Sequence, residues 1–92
     1  MAFDPTSKLE KNENVAFRRL AEGEGGVLLH LETGEYHGIN EVGSLIWELL
    51  DGERTVGEVA VALRDAVEDP PSDMSGEVIS FLDRLRKRDL VR

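Results

Sequence analysis

The chain has 92 residues, enough for one domain around one modest core and too few for two. Hydrophobic residues make up 40% and charged residues 33%, a globular balance; cysteine is absent, which excludes disulfides and thiolate metal sites and is compatible with a reducing compartment. No apolar run approaches a membrane span and no basic-then-apolar signal opens the chain, so a cytoplasmic protein with no membrane partner is expected. The net charge of −8 repels phosphate backbones and argues against nucleic acid as the main partner.

Residues 1–13 are polar and aperiodic and read as a flexible tail, leaving 14–92 as the domain. From Asn14 to Leu20, Val15 and Phe17 alternate with polar neighbours, the pattern of a half-buried strand. Glu22-Gly-Glu-Gly-Gly26 is a loop. Val27–Leu31 and Glu35–Gly38 form a hairpin. A two-residue Thr33-Gly34 turn would set Leu31 against Tyr36 and His30 against His37. Val27, Leu29, Leu31 and Tyr36 would then face the core, with Leu28, His30 and His37 on the other side.

Three amphipathic helices follow. Asn40 is placed to cap the first, in which Val42, Leu45, Ile46, Leu49 and Leu50 recur at helical spacing before Asp51-Gly52 ends it. Thr55-Val-Gly-Glu58 is a capping box, and it opens a helix with Val56, Val59, Ala60, Leu63 and Val67 on one face. Glu68-Asp-Pro-Pro71 stops that helix. Ser72 or Asp73 caps the third, which carries Met74, Val78, Phe81, Leu82 and Leu85. The order β-β-β-α-α-α predicts an α+β, winged-helix-like domain, a three-stranded antiparallel sheet followed by three helices.

Nothing in this pattern marks catalysis. There is no nucleophile with a base, no phosphate-cradling glycine loop, and no carboxylate pair with separated environments. His30 and His37 alone are too few for a usual zinc site, and although Glu32 or Glu35 could complete a set, exposed sheet-face histidines are the commoner case, so neither metal nor cofactor is expected. Trp47 and Tyr36 read as core or groove walls.

The hairpin's second strand is more informative. In a simple meander, Glu35–Gly38 lies at a sheet edge without the lysine or proline that commonly guards one. Gly38 would let another backbone approach. On the third helix Ile79 widens the apolar stripe on the side of Ser75 and Arg86, either as deeper core or as a groove wall. An open edge beside an apolar helix face is what strand addition requires. Arg84, Arg86, Lys87 and Arg88 crowd the end of this helix, where cations suit the helix dipole and could also form a basic rim for an acidic peptide.

The run from Leu29-His-Leu-Glu-Thr-Gly-Glu-Tyr-His-Gly-Ile-Asn through Gly43 and Ile46-Trp47 to Asp51-Gly52 resembles the PqqD-like family of precursor recognition elements for ribosomally made, modified peptides. So do Arg54-Thr-Val-Gly-Glu-Val59 and Val78-Ile-Ser-Phe-Leu-Asp-Arg-Leu85 with Leu90-Val91; the match spans about residues 14–91. Asp89 departs from the glycine the family commonly has after the third helix. The resemblance implies a non-catalytic cytoplasmic domain whose third strand gains the precursor's leader as an added strand, packed against the third helix. Carried over residue by residue, this points to Glu35, Tyr36, His37 and Gly38, with Val78, Ile79, Leu82, Leu85 and Arg86. The partners implied are the leader peptide and a separate leader protease or modifying enzyme, with the lasso-peptide type favoured. The alternatives are a chaperone of another peptide-modification pathway and a winged-helix DNA-binding protein, the latter opposed by the charge.

Overall fold

The computed structural model describes residues 6–67 and 72–92. The expected helix stop at Glu68–Pro71 and the first five residues of the expected tail lie outside the described residues. Three strands, β1 (Val15–Arg19), β2 (Gly26–His30) and β3 (Tyr36–Ile39), precede three helices, α1 (Glu41–Leu49), α2 (Val56–Ala66) and α3 (Met74–Lys87). The sheet is an antiparallel meander in the order β1-β2-β3. The α+β class and element order are those expected.

Local chemistry sets the boundaries. Asn40 caps α1 by accepting from the Gly43 amide at 2.8 Å. In the capping box of α2, Thr55 Oγ1 accepts from Glu58 N at 3.1 Å and the Glu58 carboxylate accepts from Thr55 N at 2.9 Å. The Thr55 backbone donor holds that carboxyl below its usual range. Asp73 caps α3. Gly25 has φ +83, and a Cβ there would lie 2.1 Å from the Ile39 carbonyl, so only glycine lets the β1–β2 loop pass the end of β3. Arg19 pairs with Glu41 and Glu48, tying β1 to α1; the pairs are exposed and contribute little stability.

The helices cover one face of the sheet. Leu28, Ile46, Trp47, Val56, Val59, Leu63, Val78, Leu82 and Leu90 form the centre of the core. On α1 the buried stripe runs through Gly43, Ile46, Trp47 and Leu50, while Val42 is exposed.

Two expectations about the hairpin are corrected. The ladder pairs Leu29 with Tyr36 and Leu28 with His37, so the turn is wider than Thr33-Gly34. His30 N donates to the Glu35 carbonyl (3.0 Å) and Gly34 N to the His30 carbonyl (2.7 Å), while Thr33 Oγ1 accepts from Glu35 N, closing a loop over Leu31–Gly34. This shift of two residues preserves which side chains share a face. The inward face, however, is the opposite one. Leu28 is 0% and His30 3% exposed, whereas Leu31 is 60% and Tyr36 74% exposed.

The reason is a polar knot around His30. Its Nδ1 accepts from Glu32 N and its Nε2 lies 3.3 Å from Asp89 Oδ2, so both ring nitrogens are partnered and burial is tolerated. Asp89 sits just past α3 with φ 60, where glycine is usual. Asp89 N donates to the Arg86 carbonyl and Leu90 N to the Leu85 carbonyl, a Schellman closure that ends α3 cleanly without glycine. Asn12, 1% exposed, donates to the Asp89 carbonyl at 2.7 Å.

The knot also corrects the expected tail. Leu9 is buried, Lys8 bridges to Thr55 and Lys11 to Val91, and Glu10 exchanges two hydrogen bonds of 2.9 Å with Arg92. Backbone pairing with the chain's other end holds this segment, a long-range bond that polar composition does not reveal.

Leu28→Ala should cost about 2–5 kcal/mol in urea unfolding, and Leu31→Ala no more than about 0.5 kcal/mol, the reverse of what the sequence pattern implied. Asp89→Ala should lose about 1–3 kcal/mol by stranding the His30 donor at a strained backbone position, while Asp89→Gly recovers part of that loss by relieving the strain alone.

Candidate functional site

The outer edge of β3 is the site's backbone component. Because the 30/35 pair is hydrogen-bonded, alternation along an antiparallel ladder makes 28/37 and 26/39 hydrogen-bonded as well. The peptide groups of Tyr36 and Gly38 therefore point away from β2, and among the described residues no further strand pairs with them. Gly38 has nothing within 4 Å of where a Cβ would stand, so the edge is open at its centre.

The same alternation sorts the side chains. His37 and Ile39 share the helix side of the sheet with Leu28; Tyr36 lies on the outer side with Val27 and Leu29. His37 is half-buried, and its Nε2 is buried without a hydrogen-bond partner. Glu35 is exposed just before the strand.

Facing this edge from α3 is a ridge spaced i, i+4, i+7: Glu77, Phe81 and Arg84. Phe81 and Arg84, with Gly38, Ile39 and Asn40, line a cleft of about 230 Å³ between β3 and α3. Glu77 lies where that cleft continues toward Val42 and Gly43 of α1. The Arg84 guanidinium sits 5.8 Å from the centre of the Phe81 ring, an amphipathic stack at the cleft mouth.

The expected residues on α3 fall elsewhere. Val78, Leu82 and Leu85 are buried in the core, where they hold the helix to the sheet and present no surface. At 100° per residue, Ile79 and Arg86 lie on the flank of Ser75, and Ser75 borders α2 residues Gly57, Val61 and Ala62. They are thus turned away from β3. Phe81 and Arg84 were legible only as a core residue and one of several helix-end cations. Their spacing with Glu77 was available, but it identifies a cleft wall only once the inward direction of α3 is known.

Among the described residues the two histidines do not share a candidate metal site: the ladder sets His37 against Leu28, and the ligand atoms that come together leave His37 out. His30, Glu32 and Asp89 do bring ligand atoms within 4.8 Å of one another. Nδ1 of His30 accepts a backbone N–H, which places its proton on Nε2 as the donor to Asp89, and Glu32 receives Asn14 Nδ2 at 3.1 Å. Metallation at Nε2 would move that proton to Nδ1, against the Glu32 N–H. The trio fits a structural knot better than a metal site.

With the geometry in place, the chain can be compared with known proteins. The family model described as coenzyme PQQ synthesis protein D (PqqD) matches residues 25–91. Among solved structures, TbiB1 in complex with the TbiA(beta) leader peptide is 28% identical, with a TM-score of 0.76 over 90% of this chain and 94% of that one. A lasso peptide synthetase B1 complexed with its leader peptide is 20% identical, with a TM-score of 0.76 over 94% of this chain and 99% of that one. The PqqD truncation of Methylobacterium extorquens PqqCD, solved by NMR as a stand-alone recognition element for ribosomally synthesised, modified peptides, is 20% identical, with a TM-score of 0.80 over 99% and 95% of the two chains. The two comparisons at 20% identity establish the shared fold. No curated protein matches the sequence.

Proposed function

The chain belongs to the PqqD family, and we propose that it binds the leader of a ribosomally made precursor peptide by strand addition and presents it to a separate leader protease or modifying enzyme. The observation that carries this reading is the open β3 edge, with the outward peptide groups of Tyr36 and Gly38 beside the Phe81–Arg84 cleft. A leader strand laid along β3 would exchange main-chain hydrogen bonds with those two residues and send alternate side chains into the cleft. Affinity thus comes from the backbone and selection from the cleft.

The 28% identity to TbiB1, a protein seen with a leader peptide, supports leader binding, and the fold shared with a lasso peptide synthetase B1 is in keeping with a lasso-type precursor. In this reading the chain performs no covalent step and needs no cofactor; it holds a substrate for another protein in the cytoplasm. Among the described residues no helix is long and apolar enough to cross a membrane. The DNA-binding alternative gains nothing from the structure, since Phe81 and the open edge suit a peptide and the net charge remains −8.

Calorimetric titration with the leader of a precursor encoded beside this chain tests the reading. One-to-one binding is expected for the wild type, with a loss of roughly tenfold or more in Gly38→Pro, which removes an outward donor and adds bulk at the edge. Circular dichroism should show that variant folded, because Gly38 touches nothing at its Cβ position. Ile79→Asp should leave the affinity unchanged in the folded protein, because Ile79 faces away from β3. A folded Gly38→Pro protein that binds as tightly as the wild type overturns strand addition.

A further inference from the structure

The cleft carries more information than its shape. Arg84 borders both the cleft and its continuation, whereas Glu77 borders only the continuation toward α1. These residues are seven apart on α3, about 10 Å along the helix axis. A strand added to β3 lies about 4.8 Å from it, and every second side chain on that strand faces α3. One of those side chains therefore meets the Arg84 end, and it meets a positive charge.

Arg84 is suited to receive it. Among the described residues Arg19 faces Glu41 and Glu48, Arg54 faces Asp51, and Lys87 faces Asp83. Among these same residues Arg84 pairs with no carboxylate, and it lies over the Phe81 ring. That contact leaves the N–H fork of the exposed guanidinium available to a docking carboxylate. Next to Gly38, His37 adds a buried Nε2 with no partner on the same helix-facing side of β3. The chain as a whole is strongly acidic, but beyond about 8 Å that repulsion is screened at physiological ionic strength, so the nearest charges decide what enters.

Resting on the strand-addition reading above, we infer that the recognised peptide carries an aspartate or glutamate on its helix-facing side, received by Arg84. Arg84 is then a specificity-determining residue, and the Glu77 end fixes the register by rejecting the same carboxylate one site further along.

The test is a selection from a randomised peptide display library on the wild type, Gly38→Pro and Arg84→Glu proteins. Wild type should enrich peptides with Asp or Glu at one fixed position of the bound segment. Arg84→Glu, a surface change that leaves the fold intact, should enrich Lys or Arg at that position. In a synthetic winner, the acid-to-amide change should weaken binding to the wild type about tenfold and leave binding to Arg84→Glu no weaker. Binders that depend on Gly38 but show no acidic position, or whose acidic position is unchanged in Arg84→Glu, overturn the charge assignment and leave strand addition standing. A selection that yields no Gly38-dependent binder overturns both.

Discussion

Everything at the edge of this domain follows from which face of β2 is buried. Leu28 at 0% exposure fixes the parity of the sheet, because side chains alternate along each strand and the ladder locks the strands together. With Leu28 inward, His37 and Ile39 turn toward the helices and Tyr36 turns to the outer face. The hydrogen-bonding parity is set by the same ladder, so the peptide groups of Tyr36 and Gly38 are left outward. The opposite parity would hide Tyr36 and bring the wrong side chains to the cleft.

That parity is secured far from the edge. His30 is buried only because Asp89, distant in sequence by 59 residues, and the Glu32 amide supply partners for both ring nitrogens. Asp89 in turn is held by the Schellman closure of α3 and by Asn12 from the N-terminal segment. The hairpin, the end of α3 and residues 9–12 thus meet at one point, and the phase of α3 is fixed there too. With Val78, Leu82 and Leu85 inward, Phe81 and Arg84 are directed at β3 and Ile79 toward α2. The binding edge and its facing wall are consequences of one buried polar arrangement.

Local signals in the sequence were reliable where the physics was local. The Asn40 cap, a cap at Ser72 or Asp73, the Thr55–Glu58 box and the apolar stripes of α2 and α3 were all legible, because each is decided within one or two helical turns. The hairpin face was not. Val27, Leu28 and Leu29 are apolar in succession, so alternation could not choose between faces, and the expectation set Leu31 and Tyr36 inward and the histidines outward. A histidine argues for exposure only while its nitrogens lack partners, and Asp89 is invisible as a partner in the sequence. The same blindness made residues 7–12 look like tail. On α3 the apolar stripe was correct, yet Ile79 was read as the surplus side because the position of β3 relative to the helix was unknown.

A short edge constrains how such a domain can bind. Tyr36 and Gly38 offer two outward N–H and two outward C=O groups, and each hydrogen bond gains about 0.5–1.5 kcal/mol net of water. Ordering each residue of a flexible peptide costs about 1–2 kcal/mol, so backbone pairing alone cannot sustain a stable complex. The remainder must come from side chains, and the cleft admits only those on the helix-facing side of the added strand. A recognition edge this brief therefore tolerates variation at most peptide positions and demands chemistry at few. Phe81 is largely buried and offers only a sliver of apolar surface, whereas the exposed guanidinium above it is satisfied at one place. A charge contact in a shallow, partly solvated cleft contributes less to affinity than to register, since a carboxylate displaced by one pair of residues loses Arg84 and approaches Glu77. Binding by a weak edge and selecting by one charged position are thus two sides of the same economy of contacts.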